Sequence, residues 1–165
     1  MPTLPPSITA AATRPAHTQR AWPGRLAVIG GATFALATVV AGLLYPGYDP
    51  TREGISALAS TPSPSAAVMI AGFLALAAGT ISAGVALRSR LRGSTAGRVG
   101  ASLVLLAGAG MVVAGPARQD CSELVGACAA AERSGTLSGH HVVHQLVSLA
   151  VFVALVTALF VLPEG

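Results

Sequence analysis

The sequence predicts an all-α fold, a polytopic bundle of four transmembrane helices with the N-terminus in the cytoplasm. Two compositional facts and one pattern point there. Of the 165 residues, 53% are hydrophobic and only 10% are charged, far below the roughly 25% charge of soluble domains. The mean hydropathy is +0.69. A soluble fold of this size has too little interior to hide so much apolar surface, because its outside must still be wetted. The pattern is charge punctuation, which cuts the chain into apolar runs of bilayer length.

Each run can be justified in turn. The first spans about 26–45 and carries no charge between Arg25 and Asp49. The second spans about 66–87, with Pro62 and Pro64 before it and Arg88 after it. The third, about 98–116, lies between Arg98 and Pro116–Arg118 and is the shortest and richest in glycine. The fourth, about 141–162, has His144 as its one ionisable residue from Val142 onward. Each approaches the ~20 residues a helix needs to cross a ~30 Å hydrocarbon core. In lipid every backbone N–H and C=O must be bonded within its own segment, so these runs are helices. Small residues at Gly72, Ala75, Ala78, Gly79, Ala83, Gly110 and Ala114 are of the kind that let helix backbones approach closely.

Arginine sets the orientation, since the chain has no lysine. The tail holds Arg14, Arg20 and Arg25, and the second connection holds Arg88, Arg90, Arg92 and Arg98, without an acid in either. The other two connections hold Arg52, Arg118 and Arg133 mixed with Asp49, Glu53, Asp120, Glu123 and Glu132. Seven cations against three put the tail and second connection in the cytoplasm of a multi-pass protein of the cell membrane. The basic pI near 10 then has a membrane explanation, and without interleaved aromatics or a recognition motif nucleic acid is not an expected partner. Residues 1–24, rich in Pro, Thr, Ser and Ala, read as a disordered cytoplasmic tail, and 25–165 as the transmembrane domain. The long, basic n-region and poor small-residue cleavage pattern make the first span an uncleaved anchor and not a signal peptide.

The chemistry-bearing residues gather on the outer face. After the first span, Asp49-Pro50 starts a short helix, with an acceptor at the cap and a fixed φ in the first turn. Ile55, Leu58 and Ala59 fall on one side of it, and Pro62 stops it. It is either a capped interfacial helix anchored by Tyr45 and Tyr48, or the place where Asp49, Arg52, Glu53 and Ser56 enter a polar site. The only cysteines, Cys121 and Cys128, share an outer connection, which points to a disulfide. Thiols or metal ligands are the other readings.

At the mouth of the fourth span stands Ser138-Gly139-His140-His141-Val142-Val143-His144. With the helix begun by Gly139, His140 or His141 can share a face with His144 and offer two imidazoles to a divalent metal such as zinc. Asp120 or Asp49 could be the third ligand. The same histidines could instead form interfacial packing or a hydrogen-bonded network. His144 lies deepest, and an intramembrane ionisable group is a functional candidate by default.

Tyr48-Asp49-Pro50 and Ile55-Ser56-Ala57-Leu58, with Asp120 and Gly139–His144 downstream, resemble the signature of the membrane family catalogued as domain of unknown function 998, from about Arg25 to the C-terminus. The resemblance implies that Asp49, Ser56, Asp120 and His144 cluster at the outer mouth of the bundle. Members usually run to about six helices, so a site between helices would be incomplete in four. The leading functional expectation is an integral membrane protein of unassigned role that contacts lipid, with a membrane-protein partner or a second copy of itself. The alternative is a membrane-embedded metal-dependent hydrolase of a lipid-like substrate, with Asp49, Ser56 and Asp120 catalytic and His140, His141 and His144 holding the metal. A transporter ranks last, because no span carries a charge at its middle. No phosphate-cradling Gly-Lys-Ser/Thr motif is present.

Overall fold

The computed structural model describes residues 22–122 and 126–162. The disordered tail expected over residues 1–24 therefore lies, up to residue 21, outside the described residues, as does Glu123. All regular structure among the described residues is helical. Its elements are α1 (Trp22–Leu44), a short 3-10 helix (Ile55–Ala59), α2 (Ala66–Arg90), α3 (Thr95–Ala114), α4 (Gly126–Arg133) and α5 (Gly139–Val161). Helices α1, α2, α3 and α5 are long and apolar enough to cross a membrane. They are the four runs expected, with shifted ends. α1 starts before residue 26 because Pro23, in its first turn, needs no N–H partner there. α2 continues through Arg88 and Arg90, and α3 opens early on Ser94, whose side chain accepts the Gly97 N–H.

The four long helices pack in the order α1–α2–α3–α5, and α1 and α5 do not meet. Their apolar outer faces remain bare: Leu43 is 82% exposed and Phe160 86%, as expected of side chains solvated by lipid rather than water. Glycine draws α1 and α2 together. A Cβ on Gly30 would lie 2.9 Å from the Gly79 Cα, and one on Gly72 would run into Ala37. Gly110 faces Val151 of α5 in the same way.

At one end of the bundle, the α1–α2 connection folds inward. The helix expected to begin at Asp49 is a single turn, in which the Arg52 and Glu53 N–H groups donate to the Asp49 carbonyl at 3.0 and 2.8 Å. Extended backbone at Gly54 breaks it, and the 3-10 helix follows. Leu58 and Ala59 are buried against Ala41 and Met69, beside Phe34, Tyr45 and Phe73. Ile55, at the start of the 3-10 helix, stays 42% exposed and lines the apolar cavity instead. The buried hydroxyls here are satisfied locally. Ser60 donates to the Ala57 carbonyl and Ser63 to that of Leu58, at 2.6 and 2.7 Å.

Candidate functional site

The α3–α4 connection is tied across to the 3-10 helix and to α5, and these ties build the site. The Arg118 guanidinium donates to the carbonyls of Ala59, Ser60 and Thr61 at 3.3, 2.7 and 2.9 Å. The Thr61 N–H returns a bond to the Gln119 carbonyl at 2.7 Å. On the other side, Asp120 clamps the start of α5. Its carboxylate accepts the Ser138 N–H at 2.6 Å and the Ser138 hydroxyl at 2.8 Å, while Ser138 Oγ accepts the His141 N–H as the helix cap. These bonds hold the Asp120 carboxyl below its ordinary range; partial burial opposes them, and nearby His140 and His141 assist.

The three histidines take three different roles. His140 is exposed and bonds through Nδ1 to the Arg118 carbonyl, with the Asp120 carboxylate 3.8 Å away. His141 is fully buried, and its Nδ1 accepts the Asp120 backbone N–H at 3.0 Å. The neutral ring therefore carries its proton on Nε2, which is buried without a partner among the described residues. His144, 4% exposed, bonds through Nδ1 to the Ala114 carbonyl at 2.8 Å. A carbonyl can only accept, so Nδ1 donates and the lone pair of the neutral ring sits on Nε2. Ala114 ends α3, and its carbonyl is one of the terminal acceptors a helix leaves unpaired. His144 thus joins the two helices and is fixed in one tautomer by the same bond.

Two cavities meet beside His144. One, of about 440 Å³, is the more polar of the two, lined by Gly54 and Ala57 and by the polar residues Ser56, Gln119, Ser122, His144, Gln145 and Ser148. The other, of about 600 Å³, is almost wholly apolar; its walls include Phe34 of α1, Leu76 of α2, Met111 of α3 and Leu155 of α5. Gly54, Ser56, His144 and Ser148 line both. From His144 to Leu155 the apolar cavity follows α5 for about 16 Å at ~1.5 Å per residue, roughly half of a ~30 Å hydrocarbon core.

Of the residues expected to cluster, Ser56 and His144 share both cavities. Asp120 lies beside His140 and His141 and is engaged by Ser138. Asp49 stands apart in its own turn, accepting from the Thr51 N–H at 2.9 Å and the Thr51 hydroxyl at 2.6 Å. The Thr51 hydroxyl, then its N–H, lower the Asp49 pKa. Sequence reasoning missed Gln119, Ser122, Gln145 and Ser148. Ser148 could have been found, since it falls one turn after His144 on the same helix face.

As a metal site, the constellation is dispersed. Among the described residues, the group of ligand atoms lying within 4.8 Å of one another is Cys121, Cys128 and His141. The two sulfurs are joined in a disulfide, the pairing expected of the two cysteines in one connection, and while bonded to each other they are not thiolate ligands. His144 Nε2 is the imidazole lone pair left at the cavity, oriented through a carbonyl as metal-bound histidines are.

No curated protein and no solved structure matches the chain. A family model described as "Protein of unknown function (DUF998)" matches residues 28–165, most of the sequence, and the chain belongs to that family.

Proposed function

From membership of a membrane family without an assigned activity, we propose that this protein binds a lipid-like amphiphile at its extracytoplasmic face. The junction of the two cavities carries the reading. An amphiphile has one polar and one apolar end, and Gly54, Ser56, His144 and Ser148 stand where a polar chamber opens into an apolar one. A pocket with apolar walls and a few placed polar groups is the usual form of a small-molecule site. The orientation rests on arginine. Arg88, Arg90, Arg92 and Arg98 lie at the opposite end from the cavities, and positive residues favour the cytoplasm. The Cys121–Cys128 disulfide supports the same side, because cytosol keeps thiols reduced.

The test is displacement of a fluorescent single-chain amphiphile from purified protein in nanodiscs. Saturable binding that Leu155→Trp abolishes, by filling the apolar chamber, supports the proposal. Binding that never saturates, or is untouched by Leu155→Trp, contradicts it.

A zinc-dependent hydrolase acting on a lipid-like substrate is the second reading. The geometry of His144 favours it: Nδ1 is held by Ala114 and Nε2 is left as the ligating nitrogen. Ser56 would then orient substrate, and further ligands would have to be drawn from His140, His141, Asp120 or Asp49. Metal content by elemental mass spectrometry, wild type against His144→Ala, separates the readings. Stoichiometric zinc lost with His144 favours the enzyme.

A further inference from the structure

Among the described residues, the lining of the polar chamber contains no Arg, Lys, Asp or Glu. From this we infer that the site selects an amphiphile whose headgroup is uncharged and bears hydroxyls, such as a glycerol or sugar head on a single acyl chain. The inference rests on the amphiphile-binding reading and deepens it.

Two independent features carry it. The first is charge. A phosphate moved from water into this chamber would lose hydration without gaining a counter-ion among the described lining residues. The guanidinium of Arg118, next to the lining residue Gln119, is already bonded to the carbonyls of Ala59, Ser60 and Thr61. Turning it toward a ligand would release the tie that holds the 3-10 helix in place. The nearby carboxylate is likewise committed, since Asp120 accepts two bonds from Ser138.

The second feature is the direction of the hydrogen bonds on offer. The Ala114 carbonyl fixes the neutral His144 with a lone pair at Nε2, so that nitrogen wants a donor from the ligand. An ionised phosphodiester has acceptors alone and cannot supply one, whereas a hydroxyl both donates and accepts. The Ser56 and Ser148 hydroxyls line the same chamber, and neither hydrogen-bonds another described residue. A hydroxyl-bearing head can donate to His144 and exchange bonds with both serines. Leaving His144 Nε2 facing a second acceptor would cost discrimination of the kind that makes hydrogen-bonding sites reject near-isosteres.

The experiment compares three single-chain probes of equal chain length by native mass spectrometry of the full chain: a monoacylglycerol, an alkyl methyl phosphate (an ionised phosphodiester with no hydroxyl) and a fatty-acid methyl ester. The monoacylglycerol should bind at least tenfold more tightly than either. His144→Ala should erase that preference while leaving chain binding in place, and Ser148→Ala should weaken it severalfold if His144→Ala fails to fold. The phosphodiester binding as tightly as the monoacylglycerol, or all three alike, overturns the headgroup inference and leaves the amphiphile site standing. Binding of none overturns both.

Discussion

At the scale of single residues, Asp120 and His144 do opposite jobs with similar chemistry. Asp120 spends its charge on structure, through two short bonds to Ser138 at the head of α5. Bonds to charged groups contribute more than neutral ones, so Asp120→Ala should destabilise the fold by about 2 kcal/mol in thermal denaturation. Its carboxyl is depressed in the folded chain. Its stabilisation is therefore present above the unfolded pKa of ~3.9 and is lost as pH falls through the lower folded value. The stability gap between wild type and Asp120→Asn should narrow as pH drops below ~4, whereas a gap that widens on acidification would refute the assignment. His144 was legible in the sequence as the polar residue deepest in a span. Its partner was not, because the Ala114 carbonyl becomes available only where α3 stops. Asp49 accepts both bonds of an Asx turn from Thr51, an arrangement that a linear sequence does not distinguish from an aspartate held for chemistry.

At the scale of elements, helix existence was legible and helix partnership was not. Charge-free length decides that a segment spans; which small residues meet depends on helix rotation. Gly30 and Gly31 make the distinction testable. A Cβ at Gly30 meets the Gly79 backbone, whereas one at Gly31 finds open space. Gly30→Ala should destabilise by ~1–3 kcal/mol through overpacking, and Gly31→Ala should be neutral or slightly stabilising, since helical glycine costs entropy. Equal effects on detergent-solubilised melting temperature would sink this account of the α1–α2 interface. α4 is a second element the sequence did not reveal. It ends where Gly135 turns to a φ of +67°, a left-handed stop that glycine adopts without strain. The Cys121–Cys128 bridge closes a short loop with a sequence separation of 7. Such a loop stabilises by ~2–3 kcal/mol in the chain-entropy model. Both cysteines should resist a thiol probe until a dithiol reductant is added, and reaction of both in unreduced protein would contradict the bridge.

At the scale of the whole molecule, the helix order α1–α2–α3–α5 leaves α1 and α5 apart, and the apolar cavity draws walls from all four. The 3-10 helix closes the polar end, held by Arg118 and by the packing of Leu58. This is why Ser56 and His144, 88 positions apart in the numbering (144 minus 56), line one chamber. The sequence contained both residues, but pairing them needed the inward fold of the α1–α2 connection, which no local pattern encodes. A reporter at Gly93, between α2 and α3, should label from the cytoplasmic side, and labelling from outside would invert the site's exposure.

The most direct measurement of the central claim is photo-crosslinking with a single-chain amphiphile that carries the reactive group on its acyl chain, mapped by mass spectrometry. Saturable adducts on Leu76, Met111 and Leu155, lost in Leu155→Trp, are the predicted result. Adducts confined to the lipid-facing Leu43, Leu159 and Phe160, rising without saturation, would contradict it.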